Sequence, residues 1–173
     1  MQNSKNFKKN NLFNRFFLVF FFKFILHKNR AIMTVNQILS KKGREVFSVL
    51  PTITVFEALG VMSEKNIGAI LIIENTQLKG ILSERDYARK IALKAKSSKK
   101  TFVNEIMEEN VVIVKPSDNL DYCMELMDSK RVRHLPVSEN DIIIGIISIS
   151  DVVKSIIEIQ KETIKHLDSY ISQ

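Results

Sequence analysis

The sequence predicts an α+β fold in which one β-α-β-β-α unit occurs twice, with the two copies related by a pseudo-two-fold axis. The stretch GILSERD at 80–86 aligns with GIISISD at 145–151. The same offset places Pro51 on Pro116, so the register holds across several elements, as a duplicated unit requires. The second strand of each copy is almost continuously apolar, which is typical of a strand covered on both faces. Two copies can bury the apolar sheet faces that a single copy would leave bare.

Each copy begins with a short β-like stretch, VFSVLP at 46–51 and NVVIVKP at 110–116, followed by an amphipathic helix. In copy one, Thr54 and Glu57 form a T-x-x-E capping box at the start of that helix. The predicted inner faces consist of Ala58, Val61 and Met62 in copy one, and of Cys123, Leu126 and Met127 in copy two. Because Cys123 aligns with Ala58, we interpret it as a small core residue and not as a nucleophile.

Two strands joined by a polar turn follow in each copy, and a helix closes it. The closing helices are predicted from about residue 84 to 95 and from about 149 to 171, with the polar segment 93–101 as the connector. The predicted division is an extension at 1–32, repeat one at 33–98, repeat two at 99–158 and a helical extension at 159–173. The last helix carries an apolar stripe longer than two repeats can cover, which favours self-association. Its members are Val153, Ile156, Ile157, Ile164, Leu167 and Ile171.

Composition excludes several classes of protein. The net charge of +7 comes from residues 1–30, which hold seven Lys or Arg and no acid, so the remainder is neutral and predicts no nucleic-acid surface. One cysteine allows no internal disulfide and favours a reducing compartment, which we take to be the cytoplasm. The three histidines are scattered and predict no metal site.

Residues 1–32 differ from the rest of the chain. They contain eight of the eleven phenylalanines, and their longest uncharged apolar run, Phe16–Phe22, is far shorter than the roughly 20 residues of a membrane span. No small-x-small cleavage site follows, and Lys and Asn stand where a presequence is rich in Arg and Ser. We therefore predict a non-globular or mis-assigned extension, with a targeting segment as the alternative and no membrane contact.

Both copies end an apolar strand on a serine followed three residues later by an aspartate, a pattern we call the hook. The hooks are Ser83 with Asp86 and Ser148 with Asp151. The pattern is a capping box for the following helix. The same geometry presents free N–H groups to an anion, and its carboxylate can accept hydrogen bonds from the hydroxyls of a ribose. The residues of one hook alone leave both interpretations open.

A cluster of cations distinguishes copy two. It has Lys130, Arg131, Arg133 and His134 in KRVRHLPV. Copy one places the neutral residues Asn66, Gly68 and Ala69 against the last three of these. Such a cluster is either a solvated helix end or a cationic wall that suits a nucleotide phosphate.

The doubled unit, the G-I-[LI]-S-x-x-D hooks and RHLPV together resemble a tandem pair of CBS domains, over about residues 43–158. The resemblance implies a disc-shaped pseudo-dimer that often forms a homodimer. It also implies two clefts that bind adenosine-containing ligands: AMP, ADP, ATP, S-adenosylmethionine or NAD(H).

The resemblance assigns residues to each cleft. In cleft two, Asp151 would bind the ribose, Ser148, Ser150, Arg133 and His134 would face phosphate, and the base would lie against Ile67 and the segment 42–49, including Lys42 and Phe47. In cleft one, Asp86, Ser83 and Arg85 would bind the ligand, with Val112 and Val132 as base contacts. Because copy one has Gly68 where copy two has Arg133, we expect cleft two to be the main nucleotide site.

The predicted function is that of a stand-alone regulatory sensor, which binds an adenine nucleotide, forms a homodimer and modulates an unidentified partner protein. One alternative is a structural dimerisation module with empty clefts. The other, an enzyme acting on nucleotides, is disfavoured because no nucleophile–base–acid set and no P-loop is present. Glu84 and Asp86 are two residues apart on a helix and do not converge as an acid–base pair. We therefore predict no catalytic residue, metal or catalytic cofactor.

Overall fold

Two antiparallel strand pairs, one in each repeat, form the frame of the computed structural model, which describes residues 33–171. Copy one contains β1 (Ser48–Val49), α2 (Val55–Glu64), β2 (Ala69–Glu74), β3 (Gln77–Ser83) and α3 (Glu84–Lys90), and helix α1 (Val35–Lys42) precedes it. Copy two contains α4 (Leu120–Ser129), β4 (His134–Glu139), β5 (Ile142–Ser148) and α5 (Ile149–Ile171). The predicted α+β class is confirmed, whereas the predictions for residues 1–32 lie outside the described residues.

The two repeats share the same irregularities of strand pairing and of turn conformation. Strands β2 and β3 pair with a register shift between Ile72 and Ile73, and β4 and β5 with one between Val137 and Ser138. Both hairpin turns place two successive residues at positive φ, at positions 75–76 and 140–141. A two-residue turn of this kind matches the right-handed twist of the strands it joins. The duplication therefore holds for the backbone as well as for the side chains.

The predicted first strand of copy two is shorter than expected. Strand β1 of copy one pairs in parallel with β2, but in copy two only Val114 forms a bridge, with Val137. In copy one the N–H of Leu71 donates to the carbonyl of Phe47 at 3.3 Å, whereas the equivalent residue of copy two, Pro136, has no N–H to donate. Pairing is therefore limited to Val114, and the β-like stretch predicted at 110–116 is reduced to a single bridge.

The closing helix of copy one is also shorter than predicted. It ends at Lys90, and a separate 3₁₀ turn covers Ala92–Lys94. Ile91 follows the helix with a φ of −116°, and its side chain is buried in the core of copy one. The long closing helix of copy two, α5, has the predicted bounds.

The hydrophobic core consists of two clusters, and each is completed by a segment that precedes the other repeat. Val35, Ile38 and Leu39 of α1 pack into the core of copy two. Val103 and Ile106, which precede copy two, pack into the core of copy one. We call this arrangement crossed packing, because it ties the start of each repeat to the body of the other.

Crossed packing explains the glycine that opens each hook motif. A Cβ atom at Gly145 would lie 2.7 Å from Cδ2 of Leu39, and one at Gly80 would lie 2.7 Å from Sδ of Met107. Real Cβ atoms do not approach other heavy atoms so closely, so each glycine makes room for a side chain of the incoming segment.

The side chain of Cys123 is buried in the core of copy two. Burial raises the pKa of its thiol to about 11, so the reactive thiolate is scarce at neutral pH. The interpretation of Cys123 as a core residue is confirmed.

Gly145→Ala is expected to destabilise the protein by about 1–3 kcal/mol, because the added methyl overpacks the contact with Leu39. Gly60→Ala is the matched control: a Cβ there meets nothing within 4 Å, and the change in mid-helix should stabilise by about 0.5–1 kcal/mol. Chemical denaturation measures both. In a Leu39→Ala background, Gly145→Ala should cost less, and an equal cost in both backgrounds would contradict the contact.

Candidate functional site

Both hooks form capping boxes of the same geometry. Ser83 Oγ accepts from the N–H of Asp86 at 3.3 Å, and the Asp86 carboxylate accepts from the N–H of Ser83 at 3.1 Å. In copy two, the N–H of Asp151 donates to Ser148 Oγ at 3.3 Å and the N–H of Ser148 donates to Asp151 Oδ2 at 2.7 Å. Each carboxylate is therefore fixed at the start of a helix, partly buried, with its position set by the preceding strand.

A cavity of about 410 Å³ lies at the hook of copy one. Its lining comes from both repeats: Gly68, Ile81, Ser83, Glu84, Arg85, Asp86 and Arg89 from copy one, and Glu108, Asn110, Val112, Lys130, Arg131, Val132, Arg133 and His134 from copy two and the segment before it. All five residues predicted for cleft one are among them. The structure thus brings the hook of one repeat against the first strand of the other.

Positive charge dominates this cavity. Five arginine and lysine residues line it, against three acids, Glu84, Asp86 and Glu108. Arg85 reaches across to copy two, where its Nη1 donates to the carbonyl of Arg131 at 3.0 Å. An excess of fixed cations in a concave site favours an anionic ligand.

Arg133 and His134 lie between the two hooks, although the sequence assigned them to cleft two. The Arg133 carbonyl accepts from the N–H of Ile149 at 2.9 Å, and His134 pairs with Ser148 in the sheet. Both residues also line the cavity at Asp86. Burial lowers the pKa of His134, and the nearby Lys42 lowers it further, so its imidazole is neutral at neutral pH. These two residues are therefore shared between the clefts, and their role as phosphate contacts in cleft two stays a prediction.

A lysine lies near the carboxylate of each hook, but only in cleft two does it form a hydrogen bond, since Lys90 Nζ lies 3.6 Å from Asp86 Oδ1. Lys42 Nζ donates to Asp151 Oδ2 at 2.7 Å and to the carbonyl of Ile146 at 3.1 Å. Burial alone would raise the pKa of Asp151, but the hydrogen bonds from Lys42 and Ser148 outweigh burial and lower it. Lys42 was predicted to flank the base; it contacts the predicted ribose carboxylate instead.

The remaining residues predicted for cleft two come from three separate segments of the chain. Ser150 is exposed on the first turn of α5, whereas Phe47 and Ile67 pack against the core of copy one. The ammonium of Lys65 lies 5.5 Å from the centroid of the Phe47 ring. Ile67 also lines a separate, open depression of about 660 Å³ beside α2. Their roles as ligand contacts stay predictions.

The sequence analysis missed Asn110, which lines the cavity in cleft one. A second internal repeat contains it, because VNQILSKK at 35–42 matches VNEIMEEN at 103–110. The offset of this match is slightly longer than that of the main repeat, since the connection from the segment to the following proline is shorter in copy two. The motif V-N-x-I-[LM] would have identified the two crossed segments and shown that Lys42 corresponds to Asn110.

Two further findings concern residues 33–171 only. No group of three or more His, Cys, Asp or Glu side chains in this range is placed to hold a metal ion. None of the helices in the described part of the chain combines the length and the apolar character that crossing a membrane requires.

The chain is similar to proteins built from CBS domains. It is 36% identical over 147 residues to the CBS domain-containing protein CBSX3, mitochondrial, of Arabidopsis thaliana, covering 80% of this chain and 71% of that protein. A CBS-domain protein from Burkholderia ambifaria MC40-6 has a solved structure with 46% identity and a TM-score of 0.71, covering 73% of this chain and 95% of that one.

A second similar structure is the CBS domain pair of a protein solved in complex with 5′-methylthioadenosine and S-adenosylmethionine. It is 23% identical, with a TM-score of 0.64, and covers 72% of this chain and 96% of that one. At this identity the likeness supports the fold. The CBS domain family model matches residues 35–93 and 103–158, so this chain belongs to the CBS domain family and carries two CBS domains in tandem.

Proposed function

We propose that this CBS pair is a regulatory module that binds an adenosine-containing ligand with phosphate groups, and that the ligand occupies cleft one. The observation that carries the proposal is the cavity at Asp86, which combines an acidic hook with five cationic side chains and receives residues from both repeats. A related CBS pair was solved with 5′-methylthioadenosine and S-adenosylmethionine, which supports the adenosine part of the proposal.

Each part of such a ligand has a matching group in cleft one. The Asp86 carboxylate accepts from the ribose hydroxyls, and the base lies against Val112 and Val132. Phosphate groups bind Arg131 and Arg133, because bonds between guanidinium and phosphate are charge-assisted. Ligands with more phosphate should bind more tightly, so ATP and ADP are favoured over AMP, and all three over uncharged adenosine derivatives.

The same cavity suits a regulatory role. The hydrogen bond from Arg85 to the Arg131 carbonyl joins the two repeats across it. A phosphate that draws Arg85 to itself would break this link and change how the repeats contact one another. The altered surface would then act on a partner protein, in the cytoplasm, without chemistry on the ligand.

The closing helix α5 supports a homodimer as the working form. Val153, Ile157, Ile164 and Leu167 are 41%, 44%, 58% and 57% exposed along one helix. Ile164 and Leu167 lie more than two turns beyond Ser155, where the helix last contributes a buried residue. Pairing of two such stripes would remove apolar surface from water, which is favourable at about 25 cal/mol per Å².

Asp86→Ala should weaken ATP binding at least tenfold, because two hydrogen bonds to a charged acceptor are lost at about 1.5–3 kcal/mol each. Asp151→Ala, the matched change in the other hook, should leave ATP affinity nearly unchanged. Calorimetric titration of ATP, AMP, NADH and S-adenosylmethionine measures this. Both variants should remain folded, since one lost cap costs only about 1 kcal/mol.

The opposite pattern, with Asp151→Ala defective and Asp86→Ala normal, would return the main site to cleft two. Absence of binding by the unaltered protein at millimolar ligand would mean that the hooks are capping boxes only. The dimerisation module without ligand would then be the better account.

Arg133→Met should weaken ATP binding about tenfold or more while leaving the affinity for 5′-methylthioadenosine unchanged, because only ATP carries the phosphates that this cation is proposed to bind. The affinity for ATP should also fall with rising salt. Equal losses for both ligands would show that Arg133 supports the cavity and does not contact phosphate.

Replacing both Ile164 and Leu167 by Glu should convert the dimer to a monomer without changing the thermal transition of the repeats, because both side chains lie outside the cores. Sedimentation velocity at micromolar concentration measures the mass. A control with Glu at Lys161 and Lys165, exposed positions of the same helix segment, should stay dimeric. A monomer before any substitution would contradict the proposal.

A further inference from the structure

We propose that Lys42 is a specificity-determining residue. It binds the Asp151 carboxylate and so keeps a ribose from it, and each chain therefore binds its nucleotide in cleft one alone. The inference rests on the proposed function for the ligand class. What it adds is a difference between the two clefts. Both hooks have the same serine and aspartate, but a side chain of α1 binds the aspartate of only one hook.

The two segments that approach the hooks are structural equivalents. Leu39 of α1 fills the space above Gly145, and Met107 fills the space above Gly80. In both cases the nearest side-chain atom lies 2.7 Å from the position that a Cβ atom on the glycine would take. Because the two segments align without a gap, the position that follows Leu39 by three is Lys42, and the position that follows Met107 by three is Asn110. The two residues are therefore equivalent in sequence, and each lies at a hook: Lys42 on Asp151, and Asn110 in the cavity at Asp86.

The segments then differ in backbone course. The segment before copy two forms only a short 3₁₀ turn, and the backbone of Glu108 pairs with that of Ile81 at 2.9 and 3.0 Å. Helix α1 instead continues to Lys42 and ends at Gly43, which has a φ of 99°. Consequently the equivalent carbonyls have different donors. The carbonyl of Ile81 accepts from the backbone N–H of Glu108, whereas the carbonyl of Ile146 accepts from the ammonium of Lys42.

This difference decides what each carboxylate can accept. Asn110 is neutral and lines an open cavity next to Asp86. The lysine that pairs with Asp86, Lys90, stays at 3.6 Å and does not line this cavity. Lys42 donates to Asp151 at 2.7 Å, in a pair whose side chains are only 39% and 20% exposed. Ribose hydroxyls would have to replace a charged, partly buried donor on Asp151, and they would leave that ammonium with a single carbonyl partner. Cleft two is therefore disfavoured for a ribose ligand in spite of its intact hook.

Equilibrium dialysis with radiolabelled ATP tests the proposal through stoichiometry. The unaltered protein should bind one ATP per chain, and Lys42→Met, which keeps the aliphatic stem and removes the charge, should bind two. In an Asp86→Ala background, where cleft one is disabled, adding Lys42→Met should raise the ATP affinity at least tenfold. Lys41→Met is the matched control: its neighbouring ammonium pairs with Glu158 at 2.9 Å, and its loss should open no site.

A readout without nucleotide separates the ion pair from the ligand. Carboxyl-carbon NMR of Asp151 should show that Lys42→Met raises the pKa of this group, because the ammonium that stabilises the carboxylate is gone. An unchanged pKa would show that the pair does not exist in solution and would overturn the proposal.

The outcomes of the dialysis are distinct. Two ATP per chain before substitution, or one ATP per chain both before and after Lys42→Met, would overturn the role of Lys42 while leaving binding at Asp86 intact. Tighter ATP binding with Lys42 than without it would make Lys42 a phosphate contact and would likewise overturn the proposal. Binding only after Lys42→Met would refute cleft one as the site and retain the role of Lys42.

Discussion

The close contact between a glycine of each hook motif and a side chain of the incoming segment is the constraint on which the arrangement depends. Leu39 lies over Gly145 and Met107 lies over Gly80, at separations that no other residue type at the glycine would allow. These contacts draw α1 into the core of copy two and residues 103–106 into the core of copy one. Both cores are therefore shared, and the segments that complete them also reach the hooks where a ligand would bind.

The same constraint accounts for the unequal clefts. The residue three positions after each contact lies near the carboxylate of a hook. This residue is Lys42 at Asp151 and Asn110 at Asp86. A lysine on Asp151 forms an internal ion pair, and an asparagine near Asp86 leaves an open, cationic cavity. Both copies have the cap, the glycine and the strand register, whereas the position that follows the glycine contact by three residues differs in charge. The hooks thus serve as helix caps in both copies, and the neighbouring segment sets which of them is available.

The fold was predictable from the sequence because its main evidence was periodic. The constant offset between the two copies determined the order of elements, and the T-x-x-E pattern determined the start of α2, which the structure shows with Thr54 and Glu57 bonded as a capping box. Local competition was not predictable in the same way. Pro136 lacks the N–H that Leu71 donates to the first strand in copy one, and α3 ends at Lys90, next to the buried Ile91.

The candidate site was predictable in part. The five residues that the resemblance assigned to cleft one lie around one cavity. The sharing of Arg133 between the clefts was not predictable, since this residue was assigned by its position in copy two, whereas it also lines the cavity at the hook of copy one. Only the crossed packing reveals which segment meets which hook, and that depends on tertiary contacts between residues far apart in the chain, such as Leu39 and Gly145.

A crystal structure of the protein grown with ATP tests the central claim, that the clefts are unequal, most directly. The account predicts nucleotide density next to Asp86, with phosphates against Arg131 and Arg133, and an intact ion pair between Lys42 and Asp151. Nucleotide density at Asp151 with Lys42 displaced, and an empty cavity at Asp86, would contradict it.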